Sequence, residues 1–568
     1  MTTTTAPPLP LTWFQQHQPM LDHALAATRS REYYSAFPEV PSGKIYGETA
    51  QADGKAAFDA RLGKRFELAQ PGTTAWIGAE RSPFGLPIGV TYPKPAIDQL
   101  LNAARVAQQV WASASIQART GVCLEMLKRL NAASFEMAFA TMFTTGQAYM
   151  MAFQAGGPHA QDRGLEAVAY AYDAMSAVPP MAIWEKPQKN APLRVEKRYR
   201  IVPRGIGLIV ASSTFPNWNS YPGLFADLAT GNAAIVKPHP NAILPLAITV
   251  EIARGVLAEA GFDPNVVTLA ADTPEEPIAR ELALRPDVRI IDFTGSSAFG
   301  EWLEKNATNA VVFTEKAGVN AVVIDSTDDL EGLARNLAMS LSLYSGQMCT
   351  APQNVFVPRD GIKVKGANVS FDDVASAITK SIEGLLAAPE RAVEVLGAIA
   401  SDATISRIQD QNSKPGVILQ SKAVTHPQFP EARVRTPIVA RLDAADAERY
   451  GSELFGPIAF IIATDSTQQS LQLAVEGARR CGAITAVLYS IDPAVITQAE
   501  DFAAETGASL AINFTGSLLV NQSAAFSDFH VSGANPAGNA SLTDVAFVAN
   551  RFRVTQTRTV VPEPAAAG

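Results

Sequence analysis

The chain reads as an α/β protein built from two doubly wound units, each a parallel sheet with helices on both faces. Three observations predict this. Short apolar runs bounded by turn residues, Ile206-Gly207-Leu208-Ile209-Val210-Ala211 and Ala233-Ala234-Ile235-Val236, suit strands buried on both faces of a parallel sheet. A helical stretch marked by Leu224, Phe225 and Leu228 lies between them and stops at Gly231, so strand, helix and strand follow with short connections. Finally, the 568 residues exceed the span over which one core keeps growing, roughly 250–300 residues, and call for two or three compact units.

Residues 1–95 carry Pro and Gly punctuation, yet Trp13, Phe14, Phe37, Phe66 and Trp76 are too many aromatics for a disordered tail. This segment is expected to be an extension packed over the body. From Ile97, the positions Leu100, Leu101, Val106, Val110 and Trp111 recur at helical spacing, as do Leu124, Leu127 and Leu130, and helices dominate to about residue 178. The run Leu193–Arg200 instead alternates and is highly charged, which reads as an exposed strand. Such an edge needs a partner, and Arg551–Arg558 alternates in the same way, so the two are expected to pair.

After Ala233–Lys237, a helix over Pro245–Ala260 and strands at Val266–Leu269 and Val288–Phe293 complete the first unit. A nucleotide would sit at the carboxyl ends of these strands. A second unit opens with Ala321-Val322-Val323-Ile324. The expected division is an extension (1–95), a nucleotide-binding domain (96–189 and 205–317), a second α/β domain (318–548) and a small β flap (190–204 and 549–562).

A net charge of −9 argues against nucleic acid and anionic membrane as partners, since both require a basic face. No uncharged apolar stretch approaches the roughly 18–20 residues of a membrane span, and the first twenty residues lack a basic start followed by an apolar run. A cytoplasmic protein is expected. The three cysteines, Cys123, Cys349 and Cys481, form no disulfide framework, and the six histidines show no metal-binding spacing, so no metal is expected.

Cys349 stands out in the small, polar stretch Ser345-Gly346-Gln347-Met348-Cys349-Thr350, between a helical pattern and the strand-like Asn354-Val355-Phe356-Val357. Reactive groups favour such loops. Glu315 lies 34 residues earlier in Phe313-Thr314-Glu315-Lys316-Ala317-Gly318, again at a strand end, and Glu453-Leu454-Phe455-Gly456-Pro457 follows about a hundred residues later. These three motifs, in this order and spacing, resemble the aldehyde dehydrogenase superfamily. Gly78-Ala79-Glu80-Arg81-Ser82-Pro83-Phe84-Gly85 further resembles the extended N-terminus of the branch associated with phenylacetic acid degradation.

The resemblance implies oxidation of an aldehyde to a carboxylic acid through a thioester, with Cys349 as nucleophile and Glu315 as the base that activates water. The family's oxyanion asparagine is here Thr214, in Thr214-Phe215-Pro216, and either Thr214 or the nearby Asn217 completes the oxyanion site. For the cofactor it implies Ser213, Lys237 and His239 on one side, Thr294, Gly295, Ser296 and Phe299 at a strand-to-helix turn, and Glu453 and Phe455 at the nicotinamide ribose. Where the family often has a ribose-binding glutamate this chain has Pro240, which favours NADP over NAD. Phe526, Phe529 and His530 fall where the family lines its substrate tunnel. The branch implies a CoA-linked semialdehyde, and the flap implies a homodimer or homotetramer. A CoA-acylating dehydrogenase and a catalytically impaired binding protein are the rival readings.

Overall fold

The computed structural model describes residues 8–189 and 191–561. Two parallel sheets organise it. The first runs, across its width, Val267–Leu269, Ala233–Lys237, Ile206–Val210, Val288–Thr294 and Val311–Glu315. Its strand order reverses between Ile206–Val210 and Val288–Thr294, so a crevice opens beyond their carboxyl ends, the place where doubly wound sheets bind ligands. The second sheet runs Val417–Leu419, Ile438–Asp443, Ile458–Thr464, Pro352–Pro358, Asn320–Ile324, Thr485–Tyr489 and Ser509–Ile512. All its pairings are parallel except that of the edge strand Val417–Leu419. Separate apolar clusters cover its two faces.

The two charged strands pair as expected, Leu193–Pro203 against Phe552–Val560, with Tyr199 opposite Gln556. One correction concerns the flap's extent. Met181–Lys186, placed by sequence within 96–189, is its third strand, held to Leu193–Pro203 with the Lys197 ammonium 5.0 Å over the Trp184 ring. Six residues of mixed character carry too little alternation to announce a strand. The outermost bounds expected for the flap, Asn190 and Pro562, lie outside the described residues.

Arg551 roots the C-terminal strand in the first sheet. It is fully buried, with Nη1 2.7 Å from Asp227 and 2.8 Å from Asp292, and its guanidinium lies 4.2 Å from the centre of the Phe547 ring. Burial pushes the Asp227 carboxyl up to about 7 even with Arg551 pulling it down. Arg551→Leu leaves two buried carboxylates without a cation, and should cost about 3–5 kcal/mol in denaturant unfolding. A loss below about 1 kcal/mol, the range of an exposed ion pair, would refute this assignment.

The extension is part of the main core rather than a cover over it. Its Leu9–Ser30 helix, masked in the sequence by Pro10 and Pro19, buries Trp13, His17, Leu21 and Ala24 at helical spacing against the helices Ile116–Ala132 and Pro158–Ser176. Crossing is close enough that a Cβ on Gly121 would run into the Pro10 carbonyl. His17 Nε2 meets Glu125 at 2.8 Å inside that interface. Farther on, the Glu80 carboxylate accepts from the backbone N–H groups of Ile243 and Leu244 at the start of helix Leu244–Glu259. A helix N-terminus favours negative charge, although burial pushes Glu80 up to about 7.

Candidate active site

Helix Leu330–Ser342 ends in a tight turn that delivers Cys349 to the start of strand Pro352–Pro358. Tyr344 and Ser345 take left-handed φ values of 51° and 49°, which L-residues adopt only under constraint. The constraint is visible. The Ser345 hydroxyl donates to the Leu396 carbonyl at 3.0 Å, and Gln347 Nε2 donates to the carbonyls of Tyr344 at 3.2 Å and Ala398 at 3.1 Å. Gly346, at φ 60°, lies so close to the Gly456 carbonyl that a Cβ would collide with it. Asn320 Nδ2 then fixes the Cys349 carbonyl at 2.8 Å.

Glu315 ends strand Val311–Glu315 and is 2% exposed. Its Oε1 lies 3.0 Å from His530 Nε2, and its Oε2 accepts from Asn219 Nδ2 at 2.9 Å. The Cys349 Sγ lies 3.9 Å from the same His530 nitrogen. His530 arrives by a loop that zips onto Glu315's strand: Lys316 N donates to the Ala537 carbonyl at 2.6 Å, and Asn539 Oδ1 accepts from Thr314 N at 2.8 Å. Its ring stands edge-on to Trp218, 4.8 Å between centres. Lys316 pairs with Glu304 at 2.9 Å, so Glu315 is not committed to its neighbour.

Electrostatics follow from this packing. Burial pushes the Glu315 carboxyl up, but His530, Cys349 and Asn219 together hold it below its ordinary value, as a carboxylate. Burial, with Glu315 beside it, pushes the Cys349 thiol well above its ordinary value. The resting pair is therefore a neutral thiol beside a carboxylate.

Several expectations change. Asn217 is turned away: its Nδ2 donates to the Gly156 carbonyl at 2.8 Å in a buried position, because Pro216–Ala229 is helical and residue 217 faces its neighbours. Asn219, two residues on, reaches the site instead. Thr214 stays partly exposed in the preceding loop, with its carbonyl held by Gln147 Nε2 at 2.7 Å. Phe526 is fully buried against Tyr34 of the extension, 5.2 Å between rings, and belongs to the core. Phe529 is half exposed, with the Arg31 guanidinium 4.0 Å over its ring. The fold also assembles what residue spacing could not announce, since donor atoms of Glu315, Cys349 and His530 all lie within 4.8 Å of one another, a set able to hold a metal ion.

Of the residues expected to hold a cofactor, Thr294 lines the cavity at the crevice. A cavity between Val210, Asn219, Phe293, Thr294 and Glu315 lies at the point where the strand order reverses. Gly295 and Ser296 form the turn into helix Ser297–Asn306, with Ser296 exposed at its N-cap, and Phe299 packs on Phe293 at 5.3 Å and on Trp302. Ser213 is partly exposed above Ile206–Val210. Across the crevice, burial pushes the Glu453 carboxyl up to about 7, Gly318 N donates to it at 3.4 Å, and the Phe455 carbonyl is held by Arg407. Lys237 Nζ pairs with Asp272 at 2.8 Å, a partner that sequence reasoning missed because it comes from the segment after the neighbouring strand Val267–Leu269. Burial and Lys237 push His239 down to about 4, so it carries no charge at neutral pH.

Fold and site define a doubly wound α/β protein with a thiol, a carboxylate and an imidazole gathered beside the crevice at its strand-order reversal. The profile described as the aldehyde dehydrogenase family matches residues 91–517, and the chain belongs to that family. It is 26% identical over 424 residues to N-succinylglutamate 5-semialdehyde dehydrogenase of Paraburkholderia xenovorans, covering 73% of this chain and 79% of that protein. It is 23% identical over 392 residues to the NAD(+) benzaldehyde dehydrogenase of Pseudomonas putida, covering 66% and 73%. Among solved structures, an NAD-dependent aldehyde dehydrogenase from Burkholderia multivorans superimposes with a TM-score of 0.96 at 58% identity, covering 97% of this chain and 99% of that one. No helix among the described residues is long and apolar enough to cross a membrane.

Proposed function

We propose that this enzyme oxidises a small aldehyde to its carboxylic acid through a thioester on Cys349. The observation that carries the reading is the convergence of Cys349, Glu315 and His530 at the edge of the dinucleotide crevice. In the proposed sequence, the Cys349 thiol gives its proton to water and its sulfur adds to the aldehyde carbon as the carbonyl π pair moves to oxygen, with the Cys349 backbone N–H and the Thr214 hydroxyl as donors to the new oxyanion. Lys237, the Gly295–Ser296 turn and Glu453 would hold a nicotinamide dinucleotide, which would supply the acceptor for the hydride that leaves the adduct carbon as the thioester forms. Glu315 then takes a proton from water as its oxygen attacks the thioester, and the carboxylic acid leaves as the thiolate re-forms. His530, bonded to Glu315 Oε1 and facing Sγ, is a positioning residue that aims the base at the thioester carbon.

The relatives named for a semialdehyde and for benzaldehyde support a small aldehyde of either kind. The narrower substrate, a CoA-linked semialdehyde from aromatic catabolism, rests on the segment Gly78–Gly85. The half-exposed apolar residues of the flap, Ile183, Trp184 and Val554, support assembly of two or four copies through it. A turnover screen of aliphatic semialdehydes, benzaldehyde and CoA-linked semialdehydes, with and without free CoA, tests the reading. Acid should be the product in every productive case. Acyl-CoA forming faster than acid would establish the acylating alternative, which Glu315 opposes because acyl transfer to a thiol requires no activated water.

A further inference from the structure

The second strand of a doubly wound nucleotide sheet usually presents a carboxylate near its carboxyl end to the ribose 2′-hydroxyl. Here Ala233–Lys237 runs into Pro238, His239 and Pro240, and no acid stands there. One arrives from the neighbouring strand. Val267–Leu269 pairs in parallel with Ala233–Lys237, Leu269 opposite Val236, and three residues beyond its end Asp272 bonds Lys237 Nζ. The Asp272 carboxylate is 2% exposed. Its Oδ2 is occupied by Lys237 and by Ile278 N at 3.1 Å, whereas its Oδ1 is buried with no hydrogen-bond partner.

A buried carboxylate oxygen without a partner is costly and calls for a donor. This one lies at the carboxyl ends of the first two crossover strands, over which the adenosine half of a dinucleotide runs. We propose that Asp272 sets coenzyme choice, its Oδ1 accepting the ribose 2′-hydroxyl of NAD and its charge opposing the 2′-phosphate of NADP. The cations nearby do not reverse this. Lys237 is already paired with Asp272, and His239, buried beside Lys237, is neutral. This replaces the NADP preference expected from Pro240, which counted only the acids of one strand. The inference rests on the dehydrogenase reading above.

Direct titration of the purified enzyme with NADH and NADPH, read by fluorescence, needs no aldehyde. Wild type should bind NADH at least about tenfold tighter, and Asp272→Asn should shrink that ratio by about 10- to 100-fold, mainly by admitting NADPH. The same shrinkage should appear in KM for the coenzymes, with kcat little changed. Should the variants be unstable, competition in wild type between ADP and 2′,5′-ADP decides alone, ADP binding tighter. Equal binding of the two coenzymes by wild type, or an Asp272→Asn variant that weakens both equally, would overturn the inference and leave the dehydrogenase reading standing. If neither coenzyme binds, both fall.

Discussion

Alanine at position 349 is expected to cut aldehyde oxidation by at least about 10⁴-fold, the scale of a lost covalent nucleophile. No other thiol can replace it. Cys123 is buried in the helix Ile116–Ala132, and the Cys481 sulfur is tied to the Gly451 carbonyl at 3.0 Å. Dinucleotide affinity should be unchanged, because in the proposed site Lys237 and Asp272 are bonded to each other and not to the sulfur. Rates of reduced-coenzyme formation and fluorescence titrations measure the two separately. Turnover within about tenfold of wild type would remove the thioester route. The elevated thiol adds a pH signature: only thiolate reacts with iodoacetamide, so alkylation of Cys349 should be slow at neutral pH and climb as pH rises.

Glutamine at position 315 should separate the two halves of the reaction. Hydride transfer requires only the thiol adduct, so a single burst of reduced coenzyme should survive, while steady turnover falls by roughly the 10²–10⁴-fold of a lost general base. The enzyme would accumulate as an acyl thioester on Cys349, visible by mass spectrometry. Removing the Glu315 charge should also lower the thiol's pKa, because that charge is one cause of its elevation, and alkylation at neutral pH should then be faster than in wild type. A variant with no burst would assign Glu315 to activating the thiol. Unchanged turnover would release it from catalysis altogether.

The local sequence announced the buried parallel strands and the motifs that carry the family, because each of these is written in contiguous residues. Apolar runs such as Ile206–Val210 become buried parallel strands wherever their neighbours lie, whereas the need for glycine at 346 comes from the Gly456 carbonyl, which only the fold brings there. The charged alternation of Leu193–Pro203 and Phe552–Val560 likewise announced two edges seeking each other across the whole chain. What the tertiary structure alone decided are contacts between residues that no motif links. Asn219 rather than Asn217 meets Glu315 because the turn of the Pro216–Ala229 helix orients only one of them toward the crevice. His530 joins Cys349 and Glu315 through a loop 181 and 215 residues distant from them. Asp272, three residues beyond the strand Val267–Leu269, brings to Lys237 the carboxylate that Lys237's own strand lacks, since parallel pairing sets the two carboxyl ends side by side. The Leu9–Ser30 helix was hidden by its prolines and became legible only against the helices that bury its apolar face.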